Sequence, residues 1–227
     1  MNKLFCRERG EGEPLILLHG NGEDGSRFAS QIEYFGRSMR VYAVDTPGHG
    51  LSEAGEGRFS LYRFADDLYG FMNEKGIEKA TVLGFSDGGN IALIFALRYP
   101  EKVDKLILNG ANLRPSGVKM SVMLPIYLGY ALTSFISVFD KKAAKKRDIL
   151  GLMVREPKIP DEELKRIKCP TLVIAGTHDM IKKKHTLRIA AGIGNSKLAF
   201  VKGNHFIAYE KPDAFNAEVD MFINGNG

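Results

Sequence analysis

A serine, a carboxylate and a histidine stand where a nucleophile, an orienting acid and a general base could meet. Gly84-Phe85-Ser86-Asp87-Gly88 reads G-x-S-x-G, between a β-rich run, Ala80 to Phe85, and a segment of helical period. A serine on so tight a strand-to-helix turn lifts its hydroxyl above the sheet, while the flanking glycines let strand and helix approach without clashes. The hydroxyl is a weak nucleophile until a base takes its proton, and the base needs a partner that fixes its tautomer and stabilises its charged form. Of the five histidines, only His205 follows the last expected strand, where a loop end reaches the serine from the same side of the sheet. Asp179, in Gly176-Thr177-His178-Asp179, follows the preceding strand and sits at the C-terminal edge where sites of parallel sheets collect. The competing position for an acid, after the strand ending at Asn109, reads Asn109-Gly110-Ala111-Asn112 and holds none. The expected order is therefore Ser86, Asp179, His205. His178 adjoins the acid, but neighbours on one turn point apart.

Acyl transfer also needs donors for a developing oxyanion, and backbone amides usually serve. The Asp87 N–H opens a helix. The Asn21 N–H lies in His19-Gly20-Asn21-Gly22, directly after the run Pro14 to Leu18. These two amides are the expected oxyanion hole.

Positioning these groups requires a particular scaffold. Short β-rich runs alternate with segments of helical period, the pattern of an α/β domain with a mostly parallel sheet. The runs are Lys3 to Arg7, Pro14 to Leu18, Arg40 to Val44, Ala80 to Phe85, Val103 to Asn109, Thr171 to Ala175 and Lys197 to Val201, so about seven strands are expected. Gly10-Glu11-Gly12-Glu13 is too short for a helical crossover, so the first strand should pair antiparallel. Leu61, Phe64, Ala65, Leu68, Phe71 and Met72 mark an amphipathic helix with Ser60 as N-cap. A second helix runs through Ile91 to Tyr99 and stops at Pro100, and a terminal one carries Phe215, Val219 and Phe222.

The alternation fails once, where roughly sixty residues separate Asn109 from Thr171; a loop that long is rarely structureless. It holds an apolar helical portion, Val118 to Phe139, a basic one, Lys141 to Met153, and then Pro157 to Lys168, where Asp161 to Glu163 could start a short helix. It reads as an insertion over the loops at the sheet edge. Met123, Tyr127 and Leu128 are candidates to line a substrate pocket beneath it.

Composition excludes other classes. With 227 residues, 44% hydrophobic and 26% charged, one compact domain over 1–227 is expected, with disorder only at the tail Asn224 to Gly227. Cys6 and Cys169 lie far apart with no neighbouring His/Cys spacing, so neither a disulfide framework nor a zinc site is expected, and no cofactor is implied. A net charge of +5 is no argument for nucleic acid, because the lysine runs lack interleaved aromatics that would stack bases. Met120 to Phe139 carries no charge, but Pro125, Gly129, serines and tyrosines dilute it, so no membrane span is expected. The N-terminus lacks the apolar run of a secretory signal, which points to the cytoplasm. No feature specifies an oligomeric state.

With His19-Gly20-Asn21-Gly22, Asp45-Thr46-Pro47-Gly48-His49-Gly50, Gly84-Phe85-Ser86-Asp87-Gly88-Gly89, Gly176-Thr177-His178-Asp179 and Gly203-Asn204-His205 in order, the chain resembles the α/β-hydrolase fold superfamily over essentially its whole length. The resemblance implies a serine hydrolase with a helical cap at about 113–168. The chain departs from the family in lacking the first edge strand and in the shortness of that cap. The expected activity is hydrolysis of a small or medium-chain carboxylic ester or thioester through an acyl-enzyme. A slow-turnover ligand sensor, and amide, carbon–carbon or peracid chemistry on the same triad, stay open, because fold does not decide among them. His19 and His49 are read as loop-holding residues and His185 as a helix-surface one.

Overall fold

The computed structural model describes residues 2–225. Met1, Asn226 and Gly227 lie outside the described residues, and with them part of the tail expected to be disordered. Strands β1 (Cys6–Arg9), β2 (Pro14–Leu18), β3 (Arg40–Val44), β4 (Ala80–Phe85), β5 (Val103–Asn109), β6 (Thr171–Gly176) and β7 (Ser196–Val201) form one sheet in the order β1-β3-β2-β4-β5-β6-β7. Every neighbouring pair is parallel except β1 with β3.

The antiparallel edge is thus as expected, but its partner is β3 and not the next strand in sequence. It also starts later than read. Phe5 donates its N–H to the Ser52 hydroxyl at 2.8 Å and its carbonyl accepts the Asp45 N–H at 2.9 Å, so at this end a loop side chain replaces one of the ladder's bonds.

Helices α1 (Ala29–Phe35), α2 (Leu61–Glu74), α3 (Asp87–Arg98), α4 (Met120–Ile136), α5 (Lys141–Arg155), α6 (Lys183–Gly192), α7 (Ile207–Glu210) and α8 (Pro212–Ile223) follow in chain order. Alternation along each strand divides the core in two. Ile16, Leu18, Val44 and Val82 pack with α2 and α3; Leu15, Leu17, Ala43 and Leu83 pack with Phe35 of α1 and Phe215 and Val219 of α8. Helices on both faces explain why β2 and β4 read as near-continuous apolar runs, β4 being interrupted only by the buried Thr81.

The periodicity of α2 places Leu61, Phe64, Leu68, Phe71 and Met72 inward, as expected. Its cap differs. The Ser60 side chain makes no capping bond to the helix; instead Glu156, just past α5, accepts the Leu61 N–H at 2.6 Å and the Ser60 hydroxyl at 3.2 Å. A carboxylate suits that helix end, and here it comes from far along the chain.

Between β5 and β6 stand α4, α5 and a 3₁₀ turn, Asp161–Arg166, matching the apolar, basic and acidic portions of the sequence. The two helices pack closely where side chains vanish: a Cβ on Gly129 would sit 3.3 Å from Leu150, and one on Gly151 3.2 Å from the Tyr130 ring. Among the described residues no helix is long and apolar enough to cross a membrane.

His185 is not a surface residue. It is 6% exposed, its Nε2 accepts the Leu113 N–H at 2.8 Å, and its ring covers Gly117, where a Cβ would approach it to 2.8 Å. Burial and the nearby Arg114 and Arg188 push its pKa down to about 4, so the ring is neutral at pH 7 and ties α6 to the chain leaving β5. His185→Ala strands the buried Leu113 N–H, which costs about 1–3 kcal/mol before any cavity is counted. A lower urea midpoint with unchanged activity of the folded protein is the expected outcome; an unchanged midpoint would refute the tie.

Candidate active site

Ser86 adopts φ 56° and ψ −118°, and among the described residues it alone of the non-glycines has a positive φ. Such a conformation persists only where the surroundings over-determine it. Here they do. A Cβ on Gly84 would lie 2.1 Å from the Gly88 carbonyl oxygen, and one on Gly88 2.0 Å from that of Leu18, so β4, α3 and the end of β2 meet at van der Waals limits around the turn. The Ser86 N–H donates to the Asn109 carbonyl at 2.8 Å, fixing the turn to β5.

His205 and Asp179 are both buried, and Nδ1 of the ring lies 2.7 Å from Oδ1 of the carboxylate. The same Oδ1 accepts the Ile181 N–H at 2.8 Å. Held this way, the carboxylate makes Nδ1 the protonated nitrogen and leaves the lone pair on Nε2. That Nε2 is buried and has no hydrogen-bond partner among the described residues, the Ser86 hydroxyl included. The ring packs on Phe85, next to Ser86 in the chain, with centroids 4.8 Å apart, and on Gly110. A Cβ on Gly110, whose φ is 64°, would fall 2.6 Å from His205 Cε1, so the rival position for an acid is empty because the His205–Asp179 pair fills its space. His178 is exposed, with its ring on the Thr177 hydroxyl at 3.0 Å.

The Asp87 N–H is at the first position of α3, where no intrahelical acceptor exists. Asn21 lies in the turn after β2, whose Gly20 rests on the Phe85 ring. Its side chain is engaged elsewhere, Nδ2 donating to Ile149 of α5 at 2.9 Å. His19 and His49 hold the neighbouring loops, as expected. His19 Nε2 accepts the Thr46 N–H at 3.0 Å while Nδ1 donates to the Gly20 carbonyl at 2.8 Å, and His49 Nδ1 reaches the Pro47 carbonyl at 3.1 Å.

Of the three cap residues, Met123 is buried with Val118 and Ile181, while Tyr127 and Leu128 are exposed, at 37% and 65%. The structure therefore joins Asp179 to His205, sets His205 beside the Ser86 turn, and leaves Leu128 in solvent. Among the described residues no cluster of His, Cys, Asp or Glu could hold a metal ion.

Sequence reading missed the Asp87 side chain. It is buried, Oδ1 accepts from Asn90 Nδ2 at 3.2 Å, and Oδ2 has no partner among the described residues. Asn90 is held in turn by Asn112 at 3.1 Å; the spacing of Asn90 from Asp87, one helical turn, was the available signal. Burial raises the carboxyl from 3.8 to about 7, with Asn90 opposing and Glu156 assisting. Folded protein thus keeps this proton over a range where the unfolded chain has lost it, and stability falls as pH rises from about 4 to about 7. At about 1.4 kcal/mol per unit, the loss reaches up to about 4 kcal/mol. Asp87→Asn cannot ionise, so its melting temperature relative to wild type should climb across that window and level off above it. An offset independent of pH would contradict the shift.

A family model described as alpha/beta hydrolase fold matches residues 13–144. A 2-hydroxy-6-oxo-6-phenylhexa-2,4-dienoate hydrolase of Comamonas testosteroni is 30% identical, over 94% of this chain and 88% of its own. A solved meta-cleavage product hydrolase of Pseudomonas fluorescens is 26% identical with a TM-score of 0.80, covering 100% of this chain and 96% of that one. An enol-lactonase of Burkholderia xenovorans, at 24% identity, shares the fold with a TM-score of 0.83 over 98% of this chain and 97% of its own.

Proposed function

The chain belongs to the alpha/beta hydrolase fold superfamily, and we propose that it is a serine hydrolase of small or medium-chain carboxylic esters or thioesters, with Ser86, His205 and Asp179 as its triad. The observation that carries this reading is the buried, unpartnered Nε2 of a histidine pinned by Asp179 beside a strained serine turn. Ser86 Oγ gives its proton to His205 Nε2 and bonds to the acyl carbon. The oxyanion so formed takes the Asn21 and Asp87 N–H groups. The imidazolium, stabilised by Asp179, passes its proton to the departing alcohol or thiol. Water then gives a proton to His205 and attacks the acyl carbon, and as the bond to Oγ breaks the imidazolium returns that proton to Ser86.

In this reading residues 113–168 form a cap on a single domain, anchored over the oxyanion turn by the bond from Asn21 to Ile149. Tyr127 and Met123 are its candidates for acyl contact, and Leu128, open to solvent, is not. If an acyl chain is buried there, kcat/KM on p-nitrophenyl esters rises by up to about 4-fold per added methylene, from about 0.8 kcal/mol each, and Tyr127→Ala flattens the rise. A flat profile in the wild type would remove the pocket.

Carbon–carbon hydrolysis is the second reading, favoured by the likeness to the Comamonas protein. The same triad would serve, with the proton going to a carbon leaving group. The deciding experiment combines fluorophosphonate labelling with turnover of p-nitrophenyl esters and of 2-hydroxy-6-oxo-6-phenylhexa-2,4-dienoate. Labelling with ester turnover dominant supports the esterase; dominant dienoate turnover replaces it; labelling without turnover of either points to a ligand sensor.

A further inference from the structure

The outer face of α4 is apolar from end to end. Met120, Leu124, Leu128, Leu132 and Phe135 are 55–74% exposed at helical spacing, and the turn into α5 adds Val138 and Phe139 at 75% and 84%. No charged residue occurs from Met120 to Phe139. Single exposed leucines are ordinary, but a contiguous stripe along a helix of about 25 Å marks an interaction site.

Charge surrounds this stripe. Lys119 precedes it, and Lys141, Lys142, Lys145 and Lys146 follow it on α5, all exposed. Residues 119–147 hold six basic side chains and one acid, so the whole net charge of +5 resides in this segment and the rest of the chain is neutral. The one acid, Asp140, caps α5 by accepting the Lys142 N–H at 2.8 Å. Arg147 is paired with Asp148.

A second copy of the chain docked through α4 would bring like lysine collars together in a two-fold contact, with only Asp140, already engaged as the cap of α5, to set against them. An anionic lipid surface meets both features at once: headgroups attract the lysines while the stripe enters the acyl boundary. We propose that the α4–α5 hairpin docks on an anionic lipid surface, α4 lying in its plane with Phe135, Val138 and Phe139 inserted and Lys141, Lys142, Lys145 and Lys146 at the headgroups. Lysine stems cover the boundary between the two.

The test is co-sedimentation of the full chain with vesicles of phosphatidylcholine alone and of phosphatidylcholine mixed with phosphatidylglycerol. Binding to the mixed vesicles, weakened by salt, is expected. Each lysine near the surface contributes about 5-fold, so replacing the four lysines of α5 by alanine should lower the partition coefficient by about 100-fold or more. Phe135→Ser combined with Phe139→Ser should also abolish it, with circular dichroism and ester turnover in solution unchanged, because both side chains are exposed. No sedimentation with the mixed vesicles, or sedimentation indifferent to both sets of substitutions, overturns the proposal. So does a dimer by light scattering that Phe135→Ser and Phe139→Ser dissociate, found without vesicle binding, since that identifies a second copy as the occupant.

Discussion

Ser86→Ala is expected to abolish fluorophosphonate labelling and to lower ester turnover on the order of 10⁴- to 10⁶-fold, while the protein stays folded. The structural bonds at this position belong to the backbone: the N–H donates to Asn109 and the carbonyl accepts from Asn90 at 3.0 Å. Alanine keeps both. It also meets the same φ of 56° with the same Cβ, so the turn carries no added strain. What is lost is the oxygen that would form the acyl bond. The oxyanion amides and the binding surface remain, which is why residual catalysis above the uncatalysed rate should survive. The measurement is steady-state turnover beside a urea midpoint. A folded variant retaining a tenth or more of the activity would exclude Ser86 as the nucleophile.

How much of this could be read in advance depends on the range of the interaction. β2 and β4 were legible because burial on both faces forces near-continuous apolar runs, and α2 because its inward residues recur at helical period. The Ser86 turn was legible because glycines on both sides meet a steric requirement the motif itself encodes. Contacts made across the sheet were not. Nothing local tells β1 to pair with β3, or tells Glu156 to cap α2. His185 was misread because Lys182, Lys183 and Lys184 precede it, and a charged run hides a buried ring that follows by one turn; its partner, Leu113, is far away in sequence. The Asp87 side chain was overlooked for the opposite reason. Its backbone already had a role, and a carboxylate beside a nucleophile reads as solvated until burial shows otherwise.

The second large effect concerns the base and its acid. His205→Ala should be about as damaging as Ser86→Ala, since without the ring nothing takes the serine proton. Asp179→Asn is expected to cost on the order of 10⁴-fold, and the geometry says why. Oδ1 of Asp179 accepts from both His205 Nδ1 and the Ile181 N–H. An amide that keeps its oxygen there turns its NH₂ toward the Gly176 N–H, which Oδ2 now faces at 3.4 Å, setting donor against donor. The flipped amide puts NH₂ against Nδ1, drives the ring proton to Nε2 and removes the lone pair that should receive the serine proton. Either arrangement also removes the charge that stabilises the imidazolium. His178→Ala should leave most activity intact, because that ring is exposed and bound only to Thr177. Turnover of all three variants on one ester, each with its unfolding midpoint, decides the matter. If His178→Ala collapses while Asp179→Asn retains activity, the base is His178, and the buried pair of Asp179 and His205 serves only to hold β6 against the loop that follows β7.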